Sequence, residues 1–253
     1  MSSLAYDRAN LDLAINAVKK AGEYLRENFF DSDLVIESET GKDIKLAVDK
    51  GAEQIILEVL RRDSNISILS EEIGLIQNDK SNYLWIVDPL DGSLNYSRKI
   101  PINCISIGLW HNDLPVMGVI YDFLKNDLYC GDPDGATLNG SPINVSTITV
   151  KEKSVICTGF PSYNNLSETS MKNYFSKVKQ YKKVRLLGSA AMSLALVSRG
   201  SAEAYTEESI GFWDVAAGIA ILQSAGGRVD YEFVDKKSQL LNVYATNGVQ
   251  SIL

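Results

Sequence analysis

The sequence predicts an α/β protein with an α+β N-terminal half and an α/β C-terminal half. Two amphipathic helices come first, apolar strand-like runs separated by turn residues follow, and from about residue 144 strands and helices alternate. A soft boundary at 139–146 divides the chain into residues 1–143 and 144–253. A chain of 253 residues is long enough to bury a substantial core.

The first half opens with two helices. Apolar residues recur at steps of three and four over 11–29 and 48–60, which is the period of a helix with one buried face. Asp49 lies near the start of the second helix. The polar segment 31–45 between them is predicted to be an exposed loop.

Later segments are assigned from short apolar runs and from turn residues such as "GDPDG" at 131–135. In the first half they predict two strands and then an antiparallel meander, at 66–69, 83–87, 104–110, 116–122 and 127–130. In the second half they predict strands at 154–158, 183–187 and 202–206 and helices at 168–180, 190–199 and 213–225.

Composition excludes several classes of partner. The net charge is −7 and the pI about 4.9, so neither nucleic acid nor an anionic membrane is expected. No signal peptide pattern opens the chain, and no apolar stretch is long enough to span a membrane. Three widely spaced cysteines predict buried thiols in a reducing compartment, and we expect a cytoplasmic protein.

Four acidic residues lie where predicted strands end or helices begin. Glu71 follows one strand, Asp88 and Asp91 follow the next, and Asp214 opens the helix "WDVAAGIAILQSAGG". α/β enzymes commonly build their active sites from residues at strand ends and helix starts. Carboxylates drawn together repel one another unless a cation compensates, and hard oxygen ligands suit Mg²⁺ or Mn²⁺ better than zinc.

The turn around these residues suits a phosphate. Pro89 restricts the backbone, so the Leu90 carbonyl can point the same way as the flanking carboxylates. Gly92 permits close approach, and its amide and that of Ser93 can meet a phosphate. The helix that starts at Trp213 adds free N–H groups on the other side.

Taken singly, each acidic residue has a simpler interpretation. The "DPLDG" segment (88–92) alone favours a structural turn, and Glu71 with Glu72 alone favours a solvated loop. Asp49 and Asp214 alone are typical helix-capping residues. The convergence of four acidic positions is what favours a metal site.

Several segments together resemble the inositol monophosphatase family. They are "SEE" (70–72), "WIVDPLDGSLNY" (85–96), "FWDVAAGIAILQSAGG" (212–227), "GKDIKLAVDKGAE" (41–53) and "RLLGSAAMSLALVSRGSAEAY" (185–205). That family comprises Mg²⁺-dependent, lithium-sensitive phosphomonoesterases, including archaeal and bacterial enzymes that also cleave fructose 1,6-bisphosphate. The resemblance implies a layered α-β-α-β-α sandwich, usually a homodimer, with the active site between its halves.

The resemblance also implies two to three Mg²⁺ ions, which Mn²⁺ can replace. Glu71, Asp88 and the Leu90 carbonyl would hold the first ion. Asp88, Asp91 and Asp214 would hold the second, and Glu71 would help with a weaker third.

Catalysis in such a family is in-line attack by a metal-activated water, with no phospho-enzyme. Asp49 and Ser93 would orient that water, Gly92 and Ser93 would contact the phosphate, and 31–45 would be a mobile loop over the site. The family most often has Thr where this chain has Ser93, which keeps the hydroxyl but loses the methyl that restricts its rotamers.

The same resemblance implies which residues face the substrate. They are Asp91, Gly92, Ser93, Arg185, Ser189, Ala190, Glu207 and Asp214. Glu207 would accept hydrogen bonds from vicinal hydroxyls. Arg185 would bind a second phosphate, although a surface arginine is an equally good interpretation of it. The expected substrates are therefore inositol 1-phosphate, fructose 1,6-bisphosphate or both.

Other functions stay open. A phosphatase of the same fold could act on another small phosphate such as a nucleotide 3′-phosphate, although the compact length argues against it. A non-catalytic relative could serve as a scaffold or regulator. A nucleotide-binding module is disfavoured because no GxGxxG or GxxxxGK[ST] pattern follows a strand, and no Asp-x-Asp nucleophile motif follows one either.

Overall fold

The computed structural model describes residues 7–30, 36–40, 43–78, 82–160, 167–235 and 237–250. The helices among them are α1 (Arg8–Phe29), α2 (Ala47–Asp63), α3 (Ser93–Ser97), α4 (Glu168–Val178), α5 (Ala190–Ser198) and α6 (Phe212–Ser224). The strands of the first half are β1 (Ile36–Thr40), β2 (Asp43–Leu46), β3 (Ser67–Ser70), β4 (Gly74–Ile76), β5 (Tyr83–Asp91), β6 (Cys104–His111), β7 (Leu114–Asp122), β8 (Asp127–Asp132), β9 (Gly135–Leu138) and β10 (Ser141–Pro142). Those of the second half are β11 (Val155–Thr158), β12 (Lys183–Arg185), β13 (Ala204–Gly211), β14 (Arg228–Asp235) and β15 (Leu240–Thr246).

The elements stack in five layers. Helices α1 and α2 cover one face of an eight-stranded sheet of order β10-β9-β8-β7-β6-β5-β3-β4. Helices α5 and α6 lie between that sheet and a five-stranded sheet of order β12-β11-β13-β15-β14. Helix α4 packs on the outer face of the second sheet through Val178 and Ile156. This confirms the layered α-β-α-β-α fold.

A row of glycines lets α6 lie directly on the first sheet. Gly108, Gly118 and Gly131 are cross-strand neighbours on β6, β7 and β8. A methyl group at Gly118 would overlap the Ala217 carbonyl, and one at Gly131 would overlap the backbone of Ile221. The absence of side chains at these three positions therefore sets the depth at which α6 packs, and with it the position of Asp214 in its first turn.

Strand directions explain why the acidic residues meet. β3 and β5 run parallel, so their carboxyl ends reach the same edge of the sheet. From β5 to β10 the sheet is antiparallel, which confirms the predicted meander and extends it by two strands.

Three predictions about elements were wrong. Residues 36–40 and 43–46 form an antiparallel two-stranded sheet instead of an exposed loop, while 31–35 and 41–42 lie outside the described residues. Strand β5 does not end at 87 but continues to Asp91. The second half does not simply alternate, because β14 and β15 pair antiparallel beside the parallel trio of β12, β11 and β13. The boundary near 139–146 remains a prediction.

One expectation from composition is confirmed. All three cysteines are free and buried. In the part of the chain that the structure describes, every helix is too short or too polar to span a bilayer.

Candidate active site

A β-bulge places Asp88 and Asp91 on one face of the sheet. In a regular strand, residues three apart point to opposite faces. Here Asp88 pairs with Ser106 and Asp91 pairs with Cys104, so three steps along β5 match only two along β6. Bulges of this kind re-aim side chains and are common next to active sites. The extra residue therefore directs both carboxylates toward the layer that contains α5 and α6.

Glu71 and Asp214 complete a compact acidic cluster. Oxygen atoms of Glu71, Asp88 and Asp214 all lie within 4.8 Å of one another. Asp88 is fully buried, and its Oδ1 accepts a hydrogen bond from the Leu90 amide at 2.9 Å. Its Oδ2 is buried with no donor among the described residues. A buried carboxylate oxygen without a donor, facing two more carboxylates, fits a divalent cation.

The electrostatics of the cluster agree with this fit. Burial and repulsion by Glu71 raise the pKa of Asp88 well above its usual range, and Asp214 and Asp91 add to the repulsion. Burial and the charge of Glu71 also raise the pKa of Asp214. Without a cation these groups resist ionisation, and a bound divalent ion would remove that cost.

Asp91 connects the sheet to α5. Its Oδ2 accepts hydrogen bonds from the Ser189 hydroxyl at 2.5 Å and the Ala191 amide at 2.7 Å. Burial raises the pKa of Asp91 to about 6, although these hydrogen bonds favour its ionised form. Asp91 thus fixes the start of the helix that contains Ala190, a residue expected to face the substrate.

The bend after Asp91 has the local geometry that the sequence suggested. Gly92 is left-handed (φ 91°), and a methyl group there would lie 2.8 Å from the Ile102 carbonyl, so only glycine fits without strain. Ser93 begins α3, and its hydroxyl donates to the Leu90 carbonyl at 2.9 Å. That carbonyl keeps a second lone pair for another ligand.

Asp49 lies in the first turn of α2. Its Oδ2 accepts the Leu46 amide at 2.8 Å, which is the capping contact that the isolated residue predicts. The side chain is buried, unlike that of an ordinary surface cap. Its predicted role with Ser93 in orienting water remains a prediction.

Two expected substrate residues lie on the second sheet. Glu207 on β13 is half-buried and accepts a hydrogen bond from the Tyr205 hydroxyl at 2.9 Å. Burial raises its pKa to about 7. Arg185 ends the edge strand β12, is exposed, and donates to the Val184 carbonyl at 3.1 Å.

Sequence reasoning missed two residues that hold the site together. Asn95 donates from its Nδ2 to the carbonyls of Ile102 and Leu187, each at 2.8 Å, and so ties α3 to the segment before α5. Glu53 on α2 supports the turn that contains Glu71. The available signal for Glu53 was its spacing of four from Asp49, which places both carboxylates on one face of a helix.

The structure thus combines a layered α/β sandwich with a cluster of three carboxylates that could hold a metal ion. The model of the inositol monophosphatase family matches residues 8–237, so the chain belongs to that family of metal-dependent phosphatases.

Curated relatives match over almost the whole chain. Inositol-1-monophosphatase of Synechocystis sp. is 36% identical over 244 residues, covering 94% of this chain and 84% of that protein. The Nus factor SuhB of Escherichia coli is 31% identical over 243 residues, covering 94% of this chain and 91% of that protein.

Solved structures show the same fold. Inositol monophosphatase from Anabaena has a TM-score of 0.81 at 35% identity, covering 96% of this chain and 92% of that one. The MJ0109 gene product, an inositol monophosphatase–fructose 1,6 bisphosphatase, has a TM-score of 0.76 at 26% identity, covering 93% and 94%.

Proposed function

We propose that this protein is a Mg²⁺-dependent phosphomonoesterase that hydrolyses inositol 1-phosphate, fructose 1,6-bisphosphate or both. The observation that carries the proposal is the cluster of Glu71, Asp88 and Asp214, with a buried Asp88 oxygen that has no donor in the described structure. Glu71, Asp88, Asp91, Asp214 and the Leu90 carbonyl would hold two to three Mg²⁺ ions, and Mn²⁺ would serve in their place. Bound Mg²⁺ would supply positive charge for the phosphate oxygens and lower the pKa of a coordinated water.

The residues of the chain then position the reactants. The amides of Gly92 and Ser93 bind the phosphate, and Asp49 and Ser93 orient the water for in-line attack. The Asp49 carboxylate is buried, and the Ser93 hydroxyl is held by the Leu90 carbonyl, so both groups have defined positions before substrate binds. Positioning and charge neutralisation are what phosphoryl transfer requires of a protein.

The substrate class rests on residues of the second sheet and of α5. Glu207 and Ala190 would contact the hydroxyls of a sugar or inositol. Ser189 would hold the start of α5 in place through its hydrogen bond to Asp91. Two similar proteins support this class, because one relative is an inositol-1-monophosphatase and one structural neighbour is an inositol monophosphatase–fructose 1,6 bisphosphatase. The family resemblance extends the proposal to a cytoplasmic homodimer that lithium inhibits.

The test is phosphate release from inositol 1-phosphate and from fructose 1,6-bisphosphate, measured side by side with Mg²⁺ and with excess EDTA. We expect release that requires Mg²⁺, and the ratio of the two kcat/KM values ranks the substrates. Absence of release from both, with a folded protein that still binds Mn²⁺, would contradict the proposed substrates.

A scaffold or regulator without catalysis is the second candidate. One reason for this candidate is that some relatives are named Nus factor SuhB, a name that denotes a factor and not an enzyme. The expected metal ligands are all present in this chain, which favours catalysis. Turnover that Asp88→Asn abolishes would exclude a purely non-catalytic role.

A further inference from the structure

Glu53 is a buried carboxylate for which the proposed catalytic steps give no role. It lies on α2, one helical turn after Asp49, and is only 1% exposed. Glutamate is almost never this buried unless its oxygens are paired with donors. Its position therefore requires a structural explanation.

The donors to Glu53 come from both sides of Glu71. The Ser70 hydroxyl and the Ile73 amide both donate to Glu53 Oε1, the second at 3.2 Å. Ser70 is the last residue of β3, and Ile73 ends the turn that contains Glu71. One carboxylate oxygen thus clamps the turn immediately before and two residues after the expected metal ligand.

Hydrophobic packing does little to hold this turn. The Ile73 side chain is 59% exposed, and Glu71 and Glu72 are only half-buried. Backbone contacts hold the turn at its base: the Glu71 amide donates to the Val87 carbonyl of β5 at 3.2 Å, and Ser70 pairs with Gly74 across the β3–β4 hairpin. The hydrogen bonds to Glu53 add a side-chain contact that ties this turn to α2.

We infer that Glu53 is the positioning residue that holds the Glu71 carboxylate against Asp88 and Asp214 for metal binding. The inference rests on the proposed function, because it assigns Glu71 to the metal site. Groups that orient metal ligands from outside the coordination shell commonly matter nearly as much as the ligands themselves. Through Asp49 and Glu53, α2 supplies both a water-orienting carboxylate and the support for a metal ligand.

The test is Mn²⁺ binding by isothermal titration calorimetry, well below the melting temperature of each protein. We expect Glu53→Ala to weaken Mn²⁺ binding by about 10- to 100-fold, the usual cost of losing such an outer partner. Glu53→Gln keeps an oxygen acceptor and should bind closer to wild type. Glu58→Ala, an exposed glutamate on the same helix, is the matched control and should bind like wild type.

Each other outcome overturns the inference. Wild-type affinity in Glu53→Ala, even with a lower melting temperature, would make Glu53 merely structural. Equal weakening by Gln and Ala would assign the effect to charge and not to positioning. If Glu53→Ala does not fold, Ser70→Ala removes one donor instead, and unchanged affinity there overturns the inference. Absence of Mn²⁺ binding by the wild type would overturn the proposed metal site itself.

Discussion

Asp88 is the residue on which the site depends most. It is buried, it lies between Glu71 and Asp214, and only one of its oxygens has a donor in the described structure. Such a residue is unfavourable for the metal-free fold and favourable only when a cation is bound. Asp88 is therefore expected to lower the free energy of unfolding of the metal-free protein.

Replacement of Asp88 separates its effect on metal binding from its effect on the stability of the metal-free fold. Asp88→Asn should abolish turnover and weaken Mn²⁺ binding, because a neutral amide is a poorer ligand for a divalent cation than a carboxylate. The fold should remain, and the melting temperature in EDTA should not fall, since a source of repulsion has gone. Phosphate release measures the turnover, and circular-dichroism melting in EDTA measures the melting temperature.

The control for this variant is Asp134→Asn, which changes an exposed acidic residue in the β8–β9 turn. It should leave activity and melting unchanged. Near-normal turnover in Asp88→Asn would contradict the metal assignment.

The raised carboxylate pKa values predict how stability depends on pH. Burial raises the pKa of Asp91 to about 6 and that of Glu207 to about 7. Between the ordinary carboxylate pKa and these values, the folded state binds more protons than the unfolded state, so the free energy of unfolding falls as pH rises. In EDTA, the melting temperature should decrease from about pH 5 to about pH 8.

Two comparisons isolate the groups responsible. Excess Mg²⁺ should flatten the pH dependence, because the ion compensates the carboxylate charge. Glu207→Gln should remove the part of the decrease in melting temperature that Glu207 causes near pH 7. A melting temperature that rises with pH in EDTA would show that the buried carboxylates do not control stability.

At the scale of elements, α6 and the strands beneath it set the geometry of the site. Asp214 is in the first turn of α6, and the glycine row determines how closely that helix approaches β6, β7 and β8. The bulge in β5 then brings Asp88 and Asp91 to the same face. The cluster therefore depends on contact between backbones as well as on the acidic side chains.

A methyl group in the glycine row tests this dependence. Gly118→Ala places a carbon against the Ala217 carbonyl and should cost about 1–3 kcal/mol or more, the usual price of overpacking. Gly108→Ala meets α6 at 3.1 Å and should cost less. Chemical denaturation of both variants measures the difference, and equal stability with wild type would refute the close packing.

At the scale of the whole molecule, the site lies where the layers meet. The first sheet supplies Asp88 and Asp91, the turn between β3 and β4 supplies Glu71, and α6 supplies Asp214. The second sheet contains Glu207 and Arg185, which the proposed function assigns to the substrate. Under the proposed function, these two residues would affect substrate choice from a different layer than the one that holds most of the expected metal ligands.

Arg185 tests that separation. Arg185→Ala should raise KM for fructose 1,6-bisphosphate and leave inositol 1-phosphate nearly unchanged, because only the bisphosphate has a second phosphate for a guanidinium. Lys183→Ala, an exposed residue on the same strand, is the control. Equal effects on both substrates would show that Arg185 does not bind the second phosphate.

Periodicity predicted most helices well, because one buried face repeats regularly along each. The start of α2 and the N-terminal position of Asp214 were predicted within a residue or two. The strands β14 and β15 were missed, as was the pairing of residues 36–40 with residues 43–46. Strand pairing depends on partners distant in the chain, which local patterns do not report.

From residue type and spacing, the sequence by itself predicted the α/β class and the acidic residues available for a metal, and its resemblance to the inositol monophosphatase family implied the layered fold. The tertiary structure decided which oxygens converge. The bulge between Asp88 and Asp91, the glycine row under α6 and the support of the Glu71 turn by Glu53 are relations between segments far apart in the chain. They exist only when the layers pack, since the strands and helices that make these contacts adjoin one another only in the folded protein.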